Sequence, residues 1–165
     1  MRTFTALLGL ACTTLLATAC QPGTACPEIG QAPVVALTVA RDYAASVHTL
    51  RFKACQEGRC TEADLELLPG TTSVDQGCEP GPYGKDRPCS ATVSPDGTLT
   101  GMLLLEPLTD SPIEASVGGT GPGGVPLPAR TLTFSPRVAY PYGAQCGRFI
   151  SASVLLDADG LRQAG

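Results

Sequence analysis

The chain is expected to fold as an all-β protein: an antiparallel β-sandwich, immunoglobulin-like or of a related Greek-key type, with about eight strands and three disulfides. Three observations carry that expectation. Gly and Pro fill 19 and 15 of the 165 positions, and both interrupt helices. Short segments alternate apolar and polar residues at period two, separated by turn residues, and no window repeats convincingly at the helical period. The third is the supply of eight Cys, which suits a small cross-linked β domain. A small closed barrel is the alternative packing.

In chain order, Pro33 to Ala40 places Val35, Leu37 and Val39 on one face and is followed by a turn at Arg41-Asp42. Ser46 to Leu68 is read as a hairpin around the two-residue turn Glu57-Gly58. That turn sets Cys55 opposite Cys60, Lys53 opposite Glu62, Arg51 opposite Asp64 and Thr49 opposite Glu66, so bases meet acids on one face. The same register pairs Phe52 with Ala63, Leu50 with Leu65 and His48 with Leu67 on an almost wholly apolar face. Next, Cys89 to Ser94 and Thr98 to Glu106 flank Pro95-Asp96-Gly97, read as a three-residue hairpin loop that pairs Val93 with Leu99. Pro112 to Gly118, Ala129 to Ser135 and Arg148 to Leu156 each show one buried face. Gly118 to Pro128 is low in complexity and is expected to be a mobile connection.

The amino terminus carries an address. Arg2 precedes Phe4 to Ala19, an apolar and small-residue stretch that ends in Ala17-Thr18-Ala19-Cys20, the pattern of a secretory signal with a lipobox. The stretch falls short of the roughly 20 residues a spanning helix needs, and polar, helix-breaking Gln21-Pro22-Gly23 follows it. These residues resemble the signal of bacterial lipoproteins, which is cut before a Cys that then carries acyl chains. The resemblance implies lipidation at Cys20 and residence on the extracytoplasmic face of the cell membrane. Ala17 stands where Leu is favoured, so ordinary secretion is the alternative. Pro141-Tyr142-Gly143-Ala144-Gln145-Cys146-Gly147 also resembles a stretch of exported actinobacterial lipoproteins, and implies no functional residue. The chain is therefore divided into a signal (1–19), a lipidated start with a short tether (20–32) and one β-sandwich domain (33–165).

With Cys12 in the signal and Cys20 acylated, six Cys remain, an even number that suits an oxidising compartment. Cys55 and Cys60 face each other in the hairpin register. Cys78 and Cys89 bracket a Pro- and Gly-rich segment that a disulfide would close. Cys26 and Cys146 are left to join, which would staple the start of the domain to the loop before its last long strand.

Composition and motifs disfavour other function classes. Net charge is -4, with 15 acidic against 11 basic side chains and no basic run, so nucleic-acid binding is not expected. His48 is the only imidazole, and no Gly-x-Ser-x-Gly elbow places a nucleophile. The Asp157-Ala158-Asp159-Gly160 segment lacks the later ligands of a calcium loop and reads as a turn. No catalytic residue, cofactor or metal is expected. The best binding candidates are Tyr140 and Tyr142, Pro-flanked rings beside Cys146. The expected role is binding or structural support at the cell envelope, with the membrane and an envelope protein or polymer as partners; an extracytoplasmic enzyme or metal-binding module is the alternative.

Overall fold

The structure, a computed structural model, describes residues 25–78 and 89–164. It is a two-layer β-sandwich. Ten strands are present: β1 (Val34–Val39), β2 (Thr49–Gln56), β3 (Arg59–Asp64), β4 (Leu68–Cys78), β5 (Cys89–Leu104), β6 (Ile113–Thr120), β7 (Pro126–Phe134), β8 (Arg137–Ala139), β9 (Phe149–Leu156) and β10 (Leu161–Gln163). One short helical turn, α1 (Arg41–Ala44), follows β1. The larger sheet runs β10-β9-β1-β5-β4, with β8 also pairing β9, and the smaller runs β3-β2-β6-β7. No ladder joins the two sheets among the described residues, which rules out the closed barrel. Pairing is antiparallel except between β1 and β9, which lie parallel with Val35 beside Ala152 and Val39 beside Leu156.

The core follows from the period-two pattern. The larger sheet turns Val35, Leu37, Val39, Leu103, Ala152, Val154 and Leu156 inward, and the smaller answers with Leu50, Phe52, Ala54, Ile113, Ala115, Val117 and Phe134. Each buried aliphatic or aromatic side chain of this kind contributes roughly 1.5–3 kcal/mol through its removal from water. Gln56 is the one buried polar side chain among the described residues. Its amide is satisfied: Nε2 donates to the carbonyls of Thr109 and Ser111, and Oε1 accepts from the Thr109 N–H.

The Glu57-Gly58 hairpin forms in the expected register, with Cys55 opposite Cys60, Lys53 opposite Glu62 and Arg51 opposite Asp64. Glu57 and Gly58 both take positive φ, 52° and 76°, as a turn matched to strand twist requires. The ladder stops at Asp64. The Leu65 N–H still donates to the Leu50 carbonyl at 2.8 Å, but Thr49 is not paired with Glu66, because Glu66 and Leu67 lead out of this sheet to β4 in the other layer. His48 is exposed, so its expected place on the apolar face beside Leu67 is corrected.

Two further expectations are corrected, and one strand is added. Pro95-Asp96-Gly97 is not a hairpin loop: β5 runs unbroken from Cys89 to Leu104, and its part from Cys89 to Thr100 pairs with β4, which carried no apolar alternation in the sequence. The step from the Pro69–Leu99 pair to the Thr71–Pro95 pair spends two residues on β4 and four on β5, so the Pro-Asp-Gly chemistry makes a bulge. The Asp96 carboxylate accepts from the N–H and Oγ1 of Thr98, Gly97 has φ 84°, and Arg41 Nε donates to the Asp96 carbonyl. The Gly118–Pro128 stretch is not a loose connection either. It completes β6, makes a short 3-10 turn at Pro122–Gly124 and begins β7. Finally, β10 returns after the Asp157–Gly160 turn and pairs Leu161 with Leu156.

Three disulfides hold the structure: Cys26–Cys146, Cys55–Cys60 and Cys78–Cys89, with Cα separations of 5.2, 4.0 and 3.9 Å. All three are the expected pairs: Cys55–Cys60 from register, Cys78–Cys89 from loop closure, and Cys26–Cys146 as the two that remain.

Candidate functional site

Tyr140 and Tyr142 sit at one end of the sandwich. β8 pairs Ala139 with Phe149, so Tyr140 leaves the sheet where β9 begins. A tight turn follows, closed by the Gly143 N–H donating to the Tyr140 carbonyl at 3.0 Å. Pro141 suits its second position, and Gly143 supplies φ 87°. Gln145 Nε2 donates to the Tyr142 carbonyl at 3.1 Å, and the Tyr142 ring meets Phe149 edge-on with centroids 6.0 Å apart. A 3-10 turn at Ala144–Cys146 leads into the disulfide. The Tyr142 ring is thus held against Phe149, and both residues remain open to solvent: Tyr140 is 52% and Tyr142 43% exposed.

The disulfide brings a second segment to this end. From Cys26 the chain runs past Ile29 to Gln31, whose side-chain amide clamps the backbone of Ile150, accepting from its N–H and donating to its carbonyl. Ile29 is 49% exposed. Arg148 pairs with Asp110 at 2.7 Å on the same end. Neither Ile29 nor Phe149 stood out in the sequence. Following the Cys26–Cys146 pairing would have found them, because it lays residues 27–31 against 146–150.

The remaining surfaces differ in character. The outer face of the smaller sheet is polar, with shallow depressions of about 300 and 450 Å³. There Arg51 pairs with Glu62 at 2.5 Å and with Asp64 at 3.5 Å, and the Glu62 carboxyl is held below its ordinary range by the Arg51 hydrogen bond and charge. The outer face of the larger sheet exposes Met102, Leu104 and Leu68. Beyond Pro95 the strands β4 and β5 pair only with each other. They form a two-stranded ribbon extending about 20 Å to the Cys78–Cys89 bond.

Chemistry is sparse. All six described Cys are oxidised. No three His, Cys, Asp or Glu side chains converge to hold a metal ion among the described residues. His48 immediately precedes β2, at the opposite end from Tyr142. The Asp157 carboxylate is engaged by Arg162 Nε and by the N–H groups of Asp159 and Gly160, which lower its pKa and make the segment a turn. Glu57 is likewise lowered, first by the Ser111 and Thr109 hydroxyls and then by Arg59. Cys20 and the whole signal lie outside the described residues, and no helix among the described residues is long and apolar enough to cross a membrane. Comparison with family models, curated proteins and solved structures finds no match for the chain.

Proposed function

We propose that the protein is exported, anchored through lipid on Cys20 to the extracytoplasmic face of the cell membrane, and acts there as a binding or structural protein of the envelope. The observation that carries this reading is the cysteine arrangement: every Cys after Cys20 is consumed in one of three disulfides, an investment suited to a small domain in an oxidising compartment. The Ala17-Thr18-Ala19-Cys20 segment supplies the anchor, since two or more acyl chains give stable membrane residence where one does not. Tyr140 and Tyr142 are the contact surface. Aromatic rings with a polar tip offer large area at small entropic cost; the turn beside the disulfide fixes the backbone of both, and Phe149 packs against the Tyr142 ring.

A Cys20→Ala variant tests the anchor. It is expected to leave the detergent-extractable membrane fraction, either as uncleaved precursor or as protein released to the medium. Unchanged membrane partitioning with an unchanged mass would overturn the reading.

A further inference from the structure

We propose that the end of the sandwich bearing Tyr140, Tyr142 and Ile29 lies in the headgroup region of a lipid bilayer, so that the β4–β5 ribbon points away from the membrane. This rests on the anchoring of Cys20 proposed above and names the occupant of the tyrosine surface.

The first support is the reach of the tether. Cys26 is six positions after Cys20, and a chain of that length spans at most about 20 Å. Cys26 is fixed to Cys146 and Gln31 to Ile150, so the tether starts from the tyrosine end. The eight residues of β9, Phe149 to Leu156, extend about 25 Å along the sandwich. A tether shorter than the domain keeps the near end within about 20 Å of the bilayer and prevents the domain from standing on its far end.

The second is what that end presents. Tyr140 and Tyr142 are exposed rings with a polar tip, and Ile29 and Val138 add exposed aliphatic surface. Tyr is enriched where protein meets the membrane–water boundary because its ring is apolar and its hydroxyl wet.

Strand direction then orients the ribbon. β1 starts at the tyrosine end, and β5 runs antiparallel to it, with Val34 beside Leu104 and Val39 beside Leu99. Residues of β5 before Leu99 continue past the far end, and with them the Cys78–Cys89 tip.

The chain contains no Trp, so a single indole is a clean reporter. The acylated full-length protein would be reconstituted in phosphatidylcholine vesicles containing lipids brominated at defined acyl positions, with Tyr142→Trp or Val93→Trp as the probe. Tyr142→Trp is expected to shift its emission to the blue on reconstitution and to be quenched several-fold more than Val93→Trp, most strongly by the shallowest bromines. Should Tyr142→Trp fail to fold through its Phe149 contact, Tyr140→Trp takes its place. Equal quenching of the two probes, in protein whose intact mass includes the acyl chains, overturns the inference, as would a tyrosine surface that only a protein partner desolvates. If the mass lacks acyl chains, the anchoring reading has failed separately; quenching of the tyrosine-loop probe on vesicles added to that protein would still support the surface, and its absence would overturn it.

Discussion

Replacing Cys26 and Cys146 together by Ala removes the longest covalent loop in the protein. The two residues are 120 positions apart, whereas Cys55 and Cys60 are separated by only 5. If a cross-link acts by restricting the unfolded chain, its contribution grows with the logarithm of loop length, to about 4.9 kcal/mol for the first loop and about 2.1 kcal/mol for the second at 25 °C. Cys26 can deliver that benefit only if residues 26–33 stay seated, and the Gln31–Ile150 clamp and the β1 ladder provide the seat. Urea unfolding, followed by far-UV circular dichroism, would compare Cys26→Ala/Cys146→Ala with Cys55→Ala/Cys60→Ala. The difference of about 2.8 kcal/mol should appear as a midpoint roughly 1–2 M lower for the former pair. Equal midpoints, or the reverse order, would refute the reasoning. They would mean that the first described residues are not held to the tyrosine end, and the short-tether geometry would lose its footing.

Other perturbations test neighbouring parts of the account. Gly119→Ala puts a Cβ 2.0 Å from the Thr49 carbonyl oxygen, while at Gly118 nothing lies within 4 Å; the first should cost about 1–3 kcal/mol or more and the second under about 0.5 kcal/mol, measured by thermal melts of both. Phe52→Ala empties a fully buried site and should destabilise by about 3–5 kcal/mol in denaturant titration. The carboxyls of Glu57, Glu62, Asp96 and Asp157 are all held below their ordinary range by hydrogen bonds and nearby Arg side chains. Their folded-state pKa values are depressed, so their contribution is complete above about pH 5 and lost as pH falls below about 4; a melting temperature that rises on acidification in that range would contradict them. Cys78→Ala/Cys89→Ala should accelerate amide hydrogen exchange in residues 71–78 and 89–95 while leaving the protection of β1 and β2 unchanged, since an isolated two-stranded ribbon is marginal in water.

The parts of the fold that were legible are those where two patterns constrain one register. Around Glu57-Gly58, charge complementarity on one face and apolar residues on the other agree, and only one pairing satisfies both. Val35, Leu37 and Val39 are legible because the strand has one dry face. β4 was not, for the opposite reason: apart from Gly70 its residues are exposed, so burial imprints no alternation on Thr71 to Gln76. Pro95-Asp96-Gly97 misled because a bulge and a hairpin loop ask for the same residues, and the choice depends on a partner strand that local sequence does not name. The glycines of 118–121 were read as looseness. Two of them are instead points of close backbone approach, Gly119 against the Thr49 carbonyl and Gly121 against the Ser46 carbonyl.

The candidate site divides in the same way. Tyr140 and Tyr142 are visible as Pro-flanked rings beside Cys146. Their neighbours Ile29 and Phe149 come from segments 120 or so residues apart in the chain, and the disulfide and the Gln31–Ile150 clamp bring the two together. The direction of the ribbon was equally out of reach, because it depends on the antiparallel register of β5 against β1.

An intact mass of the protein extracted from membranes, taken after alkylation with and without prior reduction, tests the central claim most directly. The account predicts a chain beginning at Cys20, heavier by acyl chains that hydroxylamine and lipase treatment assign to that residue, with no alkylation before reduction and six alkylated Cys after it. A chain that still begins at Met1, or one that carries no acyl mass and alkylates without reductant, would contradict it.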